Sequence, residues 1–189
     1  MVLYTSLLLV CLLGHAAAGL AGTSDTRLVS RNPQVSKDGT LTCGTFGSAS
    51  KQTVPNLLND LLPGGKIADK VWTIGPNSCH RVHCYDTSGI YVCNDNSKEM
   101  RVAGHMVAKG VKCITDNCCT VSTVNNNFSK GQSGQKFYRG AGASFNIVVA
   151  YGNCGHDANV RPADELGWGV NGVCDGGVLS PEYDGCDVL

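Results

Sequence analysis

The histidines are the side chains of this sequence best suited to catalysis or metal binding. His80 and His83 lie three positions apart, directly before Cys84. On a helix this spacing would bring both rings to one edge of a metal site, but in a strand or turn the rings diverge, and zinc needs at least three converging ligands. We therefore expect these histidines to be polar neighbours of a disulfide, and we predict neither a metal nor a cofactor.

The remaining acids and bases have no evident catalytic partner. His105 falls beside an apolar helical stripe, and His156 with Asp157 lies in a loop without a nucleophile nearby in the sequence. Three carboxylates are of the type that glycosidases and nucleases use: Asp164, Glu165 and Asp184. They belong to an acidic stretch in which solvated side chains are the ordinary state, and no Gly-x-Ser-x-Gly elbow is present. The sequence predicts no catalytic residue and a protein that is not an enzyme.

Cysteines are the most informative residues of the chain. Of eleven, Cys11 falls in an N-terminal apolar run. Ten remain in the mature protein: Cys43, Cys79, Cys84, Cys93, Cys113, Cys118, Cys119, Cys154, Cys174 and Cys186. An even number in a secreted chain indicates a disulfide framework of up to five bridges, whose pairing the spacing does not define. Zinc is the alternative, but there is no pair of Cys-x-x-Cys knuckles.

The N-terminus has the pattern of a secretory signal peptide. An apolar run from Leu7 to Leu13 precedes Ala16-Ala17-Ala18-Gly19, and we expect cleavage after Ala18, with Ala21 as the second choice. The run is shorter than the roughly 20 residues that span a bilayer. No second apolar stretch follows, so we expect a secreted, extracellular protein without stable membrane insertion.

Composition divides the chain into four parts. These are a signal peptide at 1–18, a flexible polar leader at 19–40, a cysteine-rich α/β domain at 41–154 and an acidic extension at 155–189. Residues 19–153 carry fourteen Lys and Arg against eight Asp and Glu, a net charge of +6, and the remainder carries −6. The asymmetry indicates either two solvated faces or an acidic extension that lies on a basic body. Because the basic residues are scattered, we favour solvated faces.

Periodicity in the central part predicts two helices and four strands. Pro55 opens a helix with a leucine stripe that Pro63 ends, and Asn96 caps a second helix, with Glu99 completing a capping-box-like pair. Strands are predicted over 70–74, 89–93, 135–138 and 144–151, the last two joined by a glycine-containing hairpin loop. The predicted fold is an α+β, two-layer sandwich of about four mostly antiparallel strands with two helices, stapled by disulfides. Asn127-Phe128-Ser129 is a glycosylation sequon in a polar stretch that we expect to be a surface loop.

The order of these segments resembles a family of small secreted proteins. Cys79-His80-Arg81-Val82-His83-Cys84 precedes Tyr91-Val92-Cys93-Asn94-Asp95, and Gly134-Gln135-Lys136-Phe137 and Phe145-Asn146-Ile147-Val148-Val149 follow the second predicted helix. This pattern is similar to the cysteine-rich secreted effectors of filamentous fungi, in particular the killer-toxin-like and necrosis-inducing-factor-like α/β sandwich proteins. The resemblance covers about residues 43–154. It implies a non-enzymatic protein released at a host or competitor surface.

Three functions are compatible with this sequence. The first is a virulence effector that binds a host protein or cell-wall polysaccharide in the apoplast or another extracellular space, modulating immunity or inducing cell death. The second is an antimicrobial toxin with an exposed basic patch formed by Lys109, Lys112, Lys130, Lys136 and Arg139. The third is a small hydrolase with a cleft that gathers His80, His83 and an acid. We expect the first, acting as a monomer without a nucleic-acid partner.

Overall fold

The computed structural model describes residues 39–118, 131–140, 143–166, 178–180 and 186. The strands among them are β1 (Leu41–Cys43), β2 (Ala49–Ser50), β3 (Val71–Ile74), β4 (Ser78–Tyr85), β5 (Ser88–Asn94), β6 (Met100–Ala103), β7 (Gly131–Gln132), β8 (Gly134–Gly140), β9 (Ala143–Tyr151) and β10 (Val178–Ser180). The helices are α1 (Val54–Leu61), α2 (Gly104–Asn117) and α3 (Pro162–Leu166). The predicted signal peptide, residues 19–38 of the leader, Asn127, Cys119 and Cys174 lie outside the described residues.

The fold is mostly β, so the predicted two-layer α+β sandwich with about four strands is wrong. One antiparallel sheet has six strands in the order β10-β1-β8-β9-β5-β4. Two further antiparallel pairs form small sheets, β2 with β7 and β3 with β6. The four predicted strands exist, but residues 71–74 belong to a small sheet. The acidic extension adds both α3 and the edge strand β10.

The second predicted helix begins later than its capping pattern indicates. Residues 100–103 form β6, in register with β3 from Val71↔Ala103 to Ile74↔Met100. Asn96 is not a helix cap, because its side-chain amide donates to the carbonyl oxygen of Ser144 at 2.8 Å and its Oδ1 accepts from the Ser144 amide at 2.9 Å. A tertiary contact therefore uses the polar group that would otherwise have capped a helix.

The main sheet is covered on both faces, and this explains its long buried strands. On the first face, Ile90, Val92, Ile147 and Val149 belong to the core cluster that includes residues of α1 and α2. On the second face, a smaller cluster contains Phe46, Tyr91, Cys93, Val148 and Ala150, with Val160 and Ala163 packed against it. Successive side chains of a strand point to opposite faces, so β5 and β9 contribute alternate residues to each cluster.

Close approach of α2 to the sheet requires a glycine at position 110. A Cβ there would lie 2.6 Å from Cδ1 and 2.8 Å from Cβ of Ile147. We expect Gly110→Ala to lower the free energy of unfolding by about 1–3 kcal/mol, since overpacking outweighs the gain in helix propensity. Chemical denaturation measures this. Gly155→Ala, where a Cβ meets nothing closer than Asn153 Oδ1 at 3.3 Å, is the control, and equal effects of the two changes would contradict the packing argument.

Four disulfides confirm the predicted disulfide-bonded character of the chain. Cys43–Cys118 joins β1 to the end of α2, and Cys79–Cys93 joins the neighbouring strands β4 and β5. Cys84–Cys154 joins β4 to the chain beyond β9, and Cys113–Cys186 joins α2 to the acidic extension. Such disulfides are consistent with an extracellular protein. None of the helices in the described part of the chain has the length and hydrophobicity of a transmembrane span.

Candidate functional site

Residues 152–166, which we call the covering segment, lie over part of the second sheet face. The Arg81 backbone amide donates to the Ala158 carbonyl oxygen at 2.6 Å, and the Gly152 amide donates to the Thr87 carbonyl oxygen at 3.0 Å. Ala163, in α3, packs on the apolar cluster of this face. The Cys84–Cys154 disulfide anchors the start of the segment, so its position on the sheet is fixed by covalent, polar and apolar contacts.

A buried ion pair lies beneath the covering segment. Arg81 Nη1 donates to Glu165 Oε1 at 2.6 Å, and the two side chains are only 4% and 0% exposed. Arg81 Nη2 also donates to the carbonyl oxygen of His156 at 2.7 Å. The acidic composition around Glu165 predicts a solvated carboxylate, but Glu165 is buried. This ion pair therefore joins the acidic extension to the basic body.

Glu165 also orients His156, a pairing that resembles the base and orienting carboxylate of some hydrolases. His156 Nδ1 lies 3.1 Å from Glu165 Oε2, and His156 Nε2 lies 2.9 Å from the amide nitrogen of Asn153. The Asn153 side-chain oxygen accepts from the Gly155 amide, which leaves its amide nitrogen to donate to the ring. Both ring nitrogens of His156 are thus in use, and these contacts join one part of the covering segment to another.

Tyr91 completes the buried polar network. Its hydroxyl donates to the Tyr151 carbonyl oxygen at 2.9 Å, and burial raises the pKa of Tyr91 to about 12. The hydroxyl therefore stays protonated and acts as a structural donor.

A groove of about 370 Å³ opens on the second face beside α3, and we call it the sheet groove. Its lining combines an apolar floor with a polar rim: Phe46, Asn77, Ser78, Cys79, Cys93, Asn94, Asp95, Gln135, Asn146, Arg161, Pro162 and Ala163. The volume lies at the lower end of the range of small-ligand sites, about 300–1,000 Å³. Strands β4, β5, β8 and β9 supply half of the lining, and the sheet itself positions these side chains.

Several polar groups of the sheet groove are not used by the fold. Asn146 Nδ2 donates to Asp95 Oδ2 at 3.3 Å, and no hydrogen bond reaches Asp95 Oδ1 from the described residues. The side chains of Gln135 and Arg161 likewise form no hydrogen bond or ion pair within this part of the chain. Half-buried Phe137 lies opposite Asn146 in the sheet, next to the groove. Asp95, Gln135 and Arg161 can therefore donate hydrogen bonds to a ligand or accept them from it.

Asp95 is the one carboxylate among the described lining residues, and desolvation raises the pKa of Asp95 above its ordinary value. The folded state disfavours the charged form of Asp95. At a pH above the pKa of Asp95 in the folded protein, the charged carboxylate therefore lowers the free energy of unfolding. At a pH below its pKa in the unfolded chain, Asp95 is protonated in both states and has no such effect. We expect Asp95→Asn to raise the melting temperature at pH 7 and to have little effect at pH 3. Asp69→Asn, at an exposed carboxylate away from the groove, is the control. A lower melting temperature at pH 7 in Asp95→Asn alone would contradict this prediction.

The structure separates the histidines that the hydrolase hypothesis would bring together. His80 Nδ1 lies 2.8 Å from Asn159 Oδ1, in the covering segment. His83 Nε2 lies 3.0 Å from Asp60 Oδ2, in α1, and this hydrogen bond holds the pKa of Asp60 below its ordinary value. His105 is exposed on α2. Among the described residues, no group of three or more His, Cys, Asp or Glu side chains could hold a metal ion.

The five basic residues of the antimicrobial hypothesis do not form one exposed patch. Lys136 is only 2% exposed, and its Nζ donates to the Gly39 carbonyl oxygen at 2.8 Å. Lys112 pairs with Asp116 one helical turn away. Lys130 and the acid Asp184 lie outside the described residues.

Sequence reasoning misses the sheet groove, although one signal of it is present. Asn146 interrupts the apolar strand 144–151, and Gln135 lies on the same face of the predicted strand 135–138 as the apolar Phe137. Polar side chains on one face of a strand in a buried sheet indicate a place where that face meets solvent or a ligand. No protein family model, curated protein or solved structure matches this chain significantly.

Proposed function

We propose that this protein is a secreted fungal effector that acts by binding, without catalysis, in the extracellular space of a host. Its action there modulates host immunity or induces cell death. The sheet groove carries the proposal, because its rim offers Asp95, Gln135 and Arg161 to a ligand. Gln135 lies in β8, Asp95 directly follows β5 and Arg161 directly precedes α3, in a fold that disulfides hold together. The resemblance of residues 43–154 to secreted fungal effectors supports the same function.

The geometry favours binding over the two alternatives. A glycosidase that uses two carboxylates needs them about 5–9.5 Å apart, and the described lining of the sheet groove contains one, Asp95. His80 and His83 contact different elements, and burial of Lys136 removes one member of the basic patch. A recognition protein needs only a rigid surface with uncommitted polar groups, and the sheet groove provides one.

Infiltration of purified protein into host tissue tests the proposal. One sample keeps its disulfides, and a second is fully reduced and alkylated under the same buffer conditions. We expect cell death or an altered immune response with the oxidised sample alone, because the sheet groove depends on the stapled fold. A mock-treated oxidised sample controls for the handling.

Pull-down from extracellular fluid with the oxidised protein should also retain a bound partner. Equal activity of the reduced sample would contradict a role for the folded surface. Growth inhibition of competing microbes without any host response would favour the antimicrobial alternative.

A further inference from the structure

We infer that the ligand of the sheet groove is a neutral saccharide chain, an inference that rests on the proposed binding function. The groove combines an apolar floor with a rim of amide, carboxylate and guanidinium groups. A sugar ring has the matching distribution, since its faces carry C–H groups and its edge carries hydroxyls.

The floor of the sheet groove is apolar, and a disulfide makes part of it rigid. Phe46 is 5% exposed, and the Cys79–Cys93 disulfide crosses between neighbouring strands beside it. Pro162 and Ala163 of α3 form the adjacent wall. None of these groups demands a hydrogen bond, so a ring face can lie on them without leaving a polar group unpaired.

The rim offers both donors and acceptors within one groove. Asp95 Oδ1 accepts, Arg161 donates, and the Gln135 amide does both. A hydroxyl is itself both donor and acceptor, so neighbouring hydroxyls of a sugar can pair with such groups in several combinations. Gln135 lies in β8, and Asp95 directly follows β5, a strand of the same sheet. Their separation is therefore fixed before the ligand binds, which limits the entropic cost of binding.

A saccharide fits these features better than a peptide does. An extended peptide is usually held by main-chain hydrogen bonds to a free strand edge, with pockets for alternate side chains. The sheet groove instead lies on the face of the sheet, mainly across β8, β9 and β5, which are paired on both sides, and it reaches the edge strand β4 only at Ser78 and Cys79. The formal charges of Asp95 and Arg161 balance, and this favours a neutral chain over an acidic one.

Titration calorimetry with the oxidised full chain tests the inference. The probes are soluble oligomers of glucose, xylose and N-acetylglucosamine as neutral chains, and of galacturonate as an acidic chain. We expect at least one neutral oligomer to bind more tightly than the galacturonate oligomer. Gln135→Ala and Asp95→Asn should each weaken that binding at least fivefold. The controls Asn59→Ala and Asp69→Asn change a carboxamide and a carboxylate at exposed positions on α1 and in the α1–β3 connection, and they should bind as the unmodified protein does.

Melting temperatures establish that each variant is folded, and Gln135→Ala alone remains a sufficient test if Asp95→Asn is unstable. The inference is overturned if no neutral oligomer binds, if the groove variants bind as tightly as the controls, or if the acidic oligomer binds best. It is also overturned if protease, and not glycosidase, destroys the tissue material that the protein retains. Host activity without saccharide binding would refute this inference and leave the proposed function intact. Saccharide binding without host activity would refute the proposed function and leave the saccharide as the ligand of the groove.

Discussion

Arg81→Leu is expected to lower the free energy of unfolding by about 3–5 kcal/mol, because it leaves the Glu165 carboxylate buried without its cation. Both side chains are almost fully enclosed, and the lost guanidinium also donates to the His156 carbonyl oxygen. Loss of one partner of a buried, hydrogen-bonded pair costs far more than the pair itself contributes. Guanidinium chloride denaturation at pH 7 measures the change.

The double variant Arg81→Leu/Glu165→Met should recover a large part of this loss, since apolar side chains then replace both charges. Lys112→Leu is the matched control, because the Lys112–Asp116 pair is exposed and such pairs contribute about 0.3–0.5 kcal/mol. If Arg81→Leu is no more destabilising than Lys112→Leu, then burial of Glu165 without Arg81 does not carry the large cost that we expect.

Removal of the Cys84–Cys154 disulfide is the second change for which we expect a large effect. Its cysteines are 70 residues apart, and loop-closure entropy for that length gives a loss of about 4.4 kcal/mol in the double serine variant. The change also frees the start of the covering segment. The backbone amide hydrogens of residues 152–166 should therefore exchange faster in the variant, while those of the sheet strands change less.

Cys79→Ser/Cys93→Ser provides the comparison, because these cysteines are 14 residues apart and lie on strands that already pair. The same relation gives about 3 kcal/mol for that shorter loop. Denaturation of both variants under oxidising conditions measures the difference. A larger loss in the Cys79/Cys93 variant would show that strain or packing, and not loop length, determines the contribution of each bridge.

The strongest periodic segments of the sequence predict their local structure well. Helix α1 begins at Val54, beside the predicted Pro55, and ends before Pro63. The strands at 88–94 and 143–151 extend the predicted ones by one or two residues at most. In these segments, local propensity and the burial pattern agree, so the tertiary structure does not override the local preference.

The prediction of the fold class fails where long-range pairing decides the structure. Residues 78–85 contain Arg81 and two histidines and lack apolar alternation, yet they form β4 because β5 supplies a partner and the covering segment supplies Glu165. Residues 178–180 become an edge strand through pairing with β1. Neither partner is visible from the local sequence.

The sheet groove is only partly predictable for the same reason. The lining residues come from positions as far apart as Phe46 and Ala163, and no spacing in the sequence relates them. Asp95 and Asn146 become neighbours because β5 and β9 pair in a register that places Cys93 opposite Asn146. A polar residue inside an apolar strand indicates that such a site exists, but not which side chains complete it.

The position of β1 in the sheet determines when this protein can finish folding during its synthesis. Residues 41–43 pair with β8 on one side and with β10, at 178–180, on the other. Of the described strands, β1 leaves the ribosome first and cannot complete its pairing until β10 has been synthesised. Its edges stay unpaired and the Cys43 thiol stays exposed in the interval. Such non-local pairing makes folding slow and the nascent chain prone to aggregation. Its yield should consequently depend on chaperones and disulfide isomerases more than its modest size indicates.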